Sequence, residues 1–162
     1  MTRSLLLILG VFCALALGQQ MKCFSTTRYY VPPFRANWIR ATEYCFSIGM
    51  RIAIVQTPQE HNTVVELIKQ SEIFNNASTI TWLGASDLAR EGTYIWHATG
   101  IRLQYTNWRP GQPDNMNGIE HCLALMNIPE QGWIWHGNDG PCENEHYFVC
   151  DNAEADRYGG IL

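Results

Sequence analysis

The chain has 162 residues, 11 basic against 15 acidic side chains and a formal net charge of −4. That length fits one domain, since single domains run to about 100–200 residues. Lysine and arginine are scattered without a basic cluster, which argues against a nucleic-acid role. Six Trp, seven Tyr and six Phe suggest a compact core with several large anchors.

Arg3 precedes an apolar run from Leu5 to Leu17, and Ala16 and Gly18 follow the small-residue pattern of a cleavage site. Residues 1–18 therefore read as a secretory signal, cleaved after Gly18. The run falls short of the ~20 apolar residues a spanning helix needs. No second apolar segment follows, so the mature protein is expected to be secreted, soluble and not inserted in a membrane. Cys13 leaves with the signal, and Cys23, Cys45, Cys122, Cys142 and Cys150 remain. In an oxidising compartment four of these can pair, and one is left over.

Tyr29-Tyr30-Val31 reads as a short strand ended by Pro32-Pro33. Asn37 caps a helix with Trp38, Ala41, Cys45 and Ile48 on one face, and Gly49 ends it. Arg51–Val55 is a candidate strand. A capping box then starts a second helix: Thr57 as cap, Pro58 at the first helical position and Glu60 three residues after the cap. Val64, Val65, Ile68 and Ile73 supply its apolar face. The following Asn76-Ala77-Ser78 is an N-glycosylation acceptor. Short strands are expected at Trp82–Gly84, Tyr94–Trp96, Leu103–Tyr105, Leu123–Met126, Trp133–Trp135 and Tyr147–Val149. Two helices followed by short strands give an α+β class.

Residues 107–119 break this pattern with two Gly, two Pro and almost no aliphatic side chain. A loop that long is usually functional or mobile. Oxygen donors gather in and after it: Gln112, Asp114, Glu120, Asn138 and Asp139. Three carboxylates and two amides suit calcium, a hard cation that takes about 6–8 oxygen ligands. No His or Cys stands at matching spacing, so a transition metal suits the set less well. A polar loop by itself more often makes turns and faces water.

The spacings decide between these readings. Ala41-x-x-x-Cys45, Trp82-Leu83-Gly84, Gly92-x-x-x-Trp96, Tyr105-Thr106-Asn107-Trp108-x-x-Gly111-Gln112-Pro113-Asp114-Asn115, Glu120-x-Cys122, Asn138-Asp139-x-x-Cys142 and Cys150 occur in order. In this the chain resembles a C-type lectin domain from about Tyr29 to Cys150, of the short, secreted, single-domain kind found in invertebrates. The resemblance implies a C-type lectin domain over 29–151, between an N-terminal segment at 19–28 and a tail at 152–162. It also implies two helices, two small antiparallel sheets and the disulfides Cys45–Cys150 and Cys122–Cys142. Calcium held by Gln112, Asp114, Glu120, Asn138 and Asp139 would itself bind two vicinal sugar hydroxyls, with Pro113 in the cis form. The Gln-Pro-Asp order resembles galactose-type members, which implies glycans with terminal galactose-type sugars as partners, and the family resemblance as a whole implies a role in innate immune or glycan recognition. The alternative is a calcium-bound protein-interaction module on the same fold without sugar binding.

Four positions depart from the family pattern. Gly137 stands where Trp is usual, so the strand entering the Asn-Asp pair is expected to carry a bulge. Met116 stands where galactose binders place a ring, and Trp108 reads as a core residue. His121 stands where members with an auxiliary calcium carry Asp, so Asp87 and Glu91 read as a solvated loop rather than a second calcium site. Cys23 has no implied partner, which leaves a free thiol, a mixed disulfide or an inter-chain bridge open, the favoured reading being a disulfide-linked homodimer. His61, His97, His121, His136 and His146 lack a nucleophile at familiar spacing, so no catalysis is expected.

Overall fold

The computed structural model describes residues 28–152 in full and the backbone of residues 11–14 and 22–25. It divides into two compact units, Met1–Arg28 with Asn152–Leu162, and Tyr29–Asp151. In the first, β1 (Val11–Ala14) pairs antiparallel with β2 (Lys22–Ser25). The cleavage point after Gly18 and the Cys23 side chain lie outside the described residues.

The second unit is α+β. It runs β3 (Tyr29–Tyr30), α1 (Trp38–Ser47), β4 (Arg51–Ile52), α2 (Pro58–Gln70), β5 (Thr79–Ser86), β6 (Ile95–Trp96), β7 (Glu120–Ile128), β8 (Trp133–Pro141), β9 (Tyr147–Phe148) and β10 (Cys150–Asp151). A three-stranded sheet has the order β3-β10-β4, and a larger sheet has the order β6-β5-β7-β8 with β9 beside β5. The pairs are antiparallel except β5 with β9. Among the described residues no helix is long and apolar enough to cross a membrane.

Both helices start as their sequences direct. The Asn37 side chain accepts from the Arg40 N–H at 2.9 Å. Thr57 Oγ1 accepts from the Glu60 N–H at 3.1 Å, while Glu60 reaches back to the Gln56 N–H at 2.6 Å. The bonds from Arg40 and Glu60 satisfy backbone donors that the first helical turn leaves without intrahelical acceptors, and the bond from Gln56 holds the residue before the cap.

The period of two along a strand divides the core. Leu83, Ala85, Leu123 and Leu125 pack with Val64, Val65 and Ile68 of α2. Their chain neighbours Trp82, Cys122 and Ala124 pack with Trp38, Ala41 and Cys45 of α1. Each helix thus covers one set of alternating strand residues. Gly84 permits a close crossing, because a Cβ there would lie 2.8 Å from Ile52 Cγ2 and 2.9 Å from the Ile52 carbonyl oxygen. Cys45–Cys150 ties α1 to β10 across a sequence separation of 105. Chain entropy alone assigns such a closure ~4–5 kcal/mol. Cys122–Cys142 closes the smaller loop from β7 to the end of β8.

Several expected elements are shorter or placed differently: the strands at Tyr29–Val31, Tyr94–Trp96 and Tyr147–Val149 each lose one residue, and Ile73 lies beyond the end of α2. The strand at Arg51–Val55 ends at Ile52, because Ala53 donates to Val149 and accepts from Gly84, two different neighbours. Leu103–Tyr105 forms no strand. Leu103 donates to Tyr94 at 2.9 Å, and the chain then leaves for the long loop. Ile48 caps α1 and is exposed, so the buried face is Trp38, Ala41, Thr42 and Cys45. The bulge in β8 is present. Met126 pairs with His136 and Asn127 with Ile134, which leaves Trp135 as the extra residue, with φ +53°.

Candidate functional site

The long loop reaches its place through bonds to β8. Asn107 accepts from the Gly137 N–H at 2.8 Å, and the Asn107 amide donates to the Trp135 carbonyl at 3.1 Å. The Arg109 N–H donates to Gly137 at 3.1 Å. Trp108 is half-buried and packs against the edge of the core, edge-on to Tyr94 with ring centroids 5.3 Å apart. Gly137 is the position that admits this packing. A Cβ there would lie 2.5 Å from Thr106 Cγ2 and 3.1 Å from Trp108 Cε3.

The loop then turns onto the end of β8. The Gln112–Pro113 peptide is cis. The N–H groups of Asp114 and Asn115 donate to the two carboxylate oxygens of Asp139, at 3.2 and 2.8 Å. Glu120, at the start of β7, accepts from the Met116 N–H at 3.2 Å. Asp114, Glu120 and Asp139 each bring a carboxylate oxygen to within 4.8 Å of the others. Asp139 is fully buried, Glu120 half-buried and Asp114 exposed.

Three carboxylates at that spacing repel one another. Burial pushes the Glu120 carboxyl above its usual value. Asp139 and Asp114 add to that push, and the Met116 N–H opposes it. The arrangement therefore favours a positive charge at its centre. Gln112 has a buried Oε1 with no hydrogen-bond partner, an unusual state for an amide oxygen. Asn138 donates through its amide to the Asp139 carbonyl. Oxygen donors of this kind suit a hard divalent cation.

Beside this group lies a second one. Asp87, directly after β5, is buried rather than solvated. Its Oδ2 accepts from the Gly92 N–H at 2.8 Å, and its Oδ1 lies 3.1 Å from His121 Nδ1. His121 Nδ1 is also 3.4 Å from Glu91 Oε2. The solvated-loop reading thus fails for Asp87, because the β5–β7 ladder holds it against His121: the Asp87 N–H donates to the His121 carbonyl at 3.1 Å. Exposed Glu91 accepts from the Asn115 amide at 2.6 Å. Sequence reasoning missed that link. The four-residue spacing of Asp87 and Glu91 and the Asn after Gln-Pro-Asp were its visible traces.

Residues 35–152 match the family described as Lectin C-type domain. C-type lectin 16 of Aedes aegypti is 40% identical over 150 residues, which span 91% of this chain and 97% of that relative. Salivary C-type lectin 1 of Aedes albopictus is 40% identical over 148 residues, with coverage of 91% and 97%. The solved C-type carbohydrate-recognition domain of cow CD23 superposes with a TM-score of 0.62 at 29% identity, covering 80% of this chain and 90% of that one. The matched family is one of carbohydrate-binding lectins and is generally non-catalytic. On the family match and these relatives together, the chain belongs to the C-type lectin family.

Proposed function

We propose that this chain is a secreted lectin that binds sugar through one calcium ion, with a preference for galactose-type sugars. Gln112, Asp114, Glu120, Asn138 and Asp139 would hold the ion. The observation that carries this reading is the convergence of three carboxylates, one of them fully buried. Burying charges of one sign is costly unless a cation is present. Calcium, when bound, supplies open coordination positions for two vicinal hydroxyls.

The side chains do the rest. Carboxylates accept hydrogen bonds from hydroxyls, and amides donate to them. Gln112 thus offers a donor and Asp114 an acceptor, the order on which the galactose preference rests. Asn138 spends one N–H on the Asp139 carbonyl and keeps a second for a hydroxyl. Met116 presents an exposed thioether instead of a ring, so discrimination against mannose is expected to be modest. Secretion rests on the leader at 1–18 and on similarity to a salivary lectin.

Calorimetric titration with calcium tests the site. The natural chain should bind one ion. Asp114→Ala removes an exposed side chain, so the fold should stand while affinity falls at least tenfold, the scale of losing a charged ligand. Unchanged affinity in that variant would place the ion elsewhere.

A further inference from the structure

Asn115 makes four hydrogen bonds at one point of the loop, one of them from the Gly118 N–H to its carbonyl at 2.8 Å. Its N–H donates to Asp139 Oδ2 at 2.8 Å. Its Oδ1 accepts from the Glu120 N–H at 3.0 Å. Its Nδ2 donates to Glu91 Oε2 at 2.6 Å. The residue sits at φ +43°, a left-handed conformation that asparagine tolerates better than most residues. Asn115 therefore touches two of the three converging carboxylate residues, and a third carboxylate orients it.

Glu91 is in turn anchored to the rigid sheet. It faces His121 of β7, which faces Asp87 at the end of β5. Both Asp87 oxygens and Glu91 Oε2 already have donors: Gly92 and His121 on Asp87, and Asn115 on Glu91. This chain of polar contacts includes an imidazole, His121, whereas a hard cation takes oxygen ligands. It runs from the sheet, through Asp87, His121 and Glu91, to Asn115 and the sugar loop.

We propose that Glu91 is a positioning residue for the calcium–sugar site, acting through Asn115, and that the Asp87–Glu91–His121 group braces the loop rather than holding a second ion. The inference rests on the calcium reading of Asp114, Glu120 and Asp139. An unbraced Asn115 has more freedom, and Glu120 and Asp139 then have to be ordered when the ion binds. The ordering cost appears as lost affinity.

Two measurements on the full secreted chain test it, using Glu91→Ala and Glu91→Gln. Glu91 is exposed, so neither variant should alter thermal stability in chelator. In calcium-free protein, Glu91→Ala should speed amide exchange at Asn115 and Glu120 about five- to tenfold, the scale of one lost hydrogen bond. In calcium titrations it should weaken affinity by a similar factor, at a stoichiometry of one. Glu91→Gln keeps an acceptor for Asn115 but loses the charge, so it should restore most of both effects. Unchanged exchange in Glu91→Ala would overturn the proposal. So would failure of Glu91→Gln to rescue, which would assign the effect to charge. Two ions in the natural chain and one in Glu91→Ala would make Glu91 a metal ligand. If the natural chain binds no calcium, the functional reading fails, while the exchange result still decides the positioning role.

Discussion

Asp139 shows how one side chain can serve fold and site together. Its carboxylate is fully buried, yet it accepts from two loop N–H groups instead of a basic side chain. Glu120 stands opposite, held above its usual pKa by burial, with Asp139 and Asp114 adding to the effect. In the calcium-free fold Glu120 keeps its proton to a higher pH than in the unfolded chain. Its contribution to stability is therefore present below the ordinary carboxylate value and lost as pH rises through the raised one. Glu120→Gln in chelator at neutral pH should melt at or above the natural chain, and a clearly lower Tm would contradict this account. Calcium needs the deprotonated carboxylates, so its affinity should fall as pH drops through the same window. Equal calcium affinity at neutral and acid pH would count against the site. The convergence of Asp114, Glu120 and Asp139 was legible because their spacings to Cys122 and Cys142 are fixed in the sequence. Glu91 and Asn115 were not legible as partners, because 24 residues separate them and only the folded sheet brings them together.

The elements were legible wherever a local rule fixes them. Thr57, Pro58 and Glu60 announce α2 without help from the rest of the chain, and Asn37 does the same for α1. Strands depend on partners, so their limits were less visible. Leu103–Tyr105 has the composition of a strand but extends its ladder by only one bond. The loop of 107–119 holds its shape by leaning on β8, and Gly137 is the point of contact. Gly137→Ala places a methyl group against Thr106 and Trp108, so either the loop or β8 has to shift. Overpacking of this kind costs ~1–3 kcal/mol. Urea denaturation should show that loss, and calcium affinity should fall with it because Asn138 and Asp139 follow directly. A variant with natural stability and natural calcium affinity would show that the loop does not depend on this contact.

At the scale of the whole molecule, two disulfides close the lectin unit, and both pairings agree with the family resemblance. Cys23 stands apart from them, and the proposed role is an inter-chain bridge. Two sites on one covalent dimer would raise avidity on a glycan surface without any new contact. A non-reducing gel should show a dimer that Cys23→Ala abolishes, and a monomer in both lanes would end that idea. Asn76 is exposed and is proposed to carry an N-glycan. Treatment with an N-glycosidase should increase mobility in the natural chain and not in Asn76→Gln. The most direct test of calcium-dependent galactose recognition is retention of the secreted protein on immobilised galactose. Retention with calcium, release by chelator and weaker retention on mannose are the predicted results. Passage through both resins in calcium, or retention that survives chelator, would contradict the account.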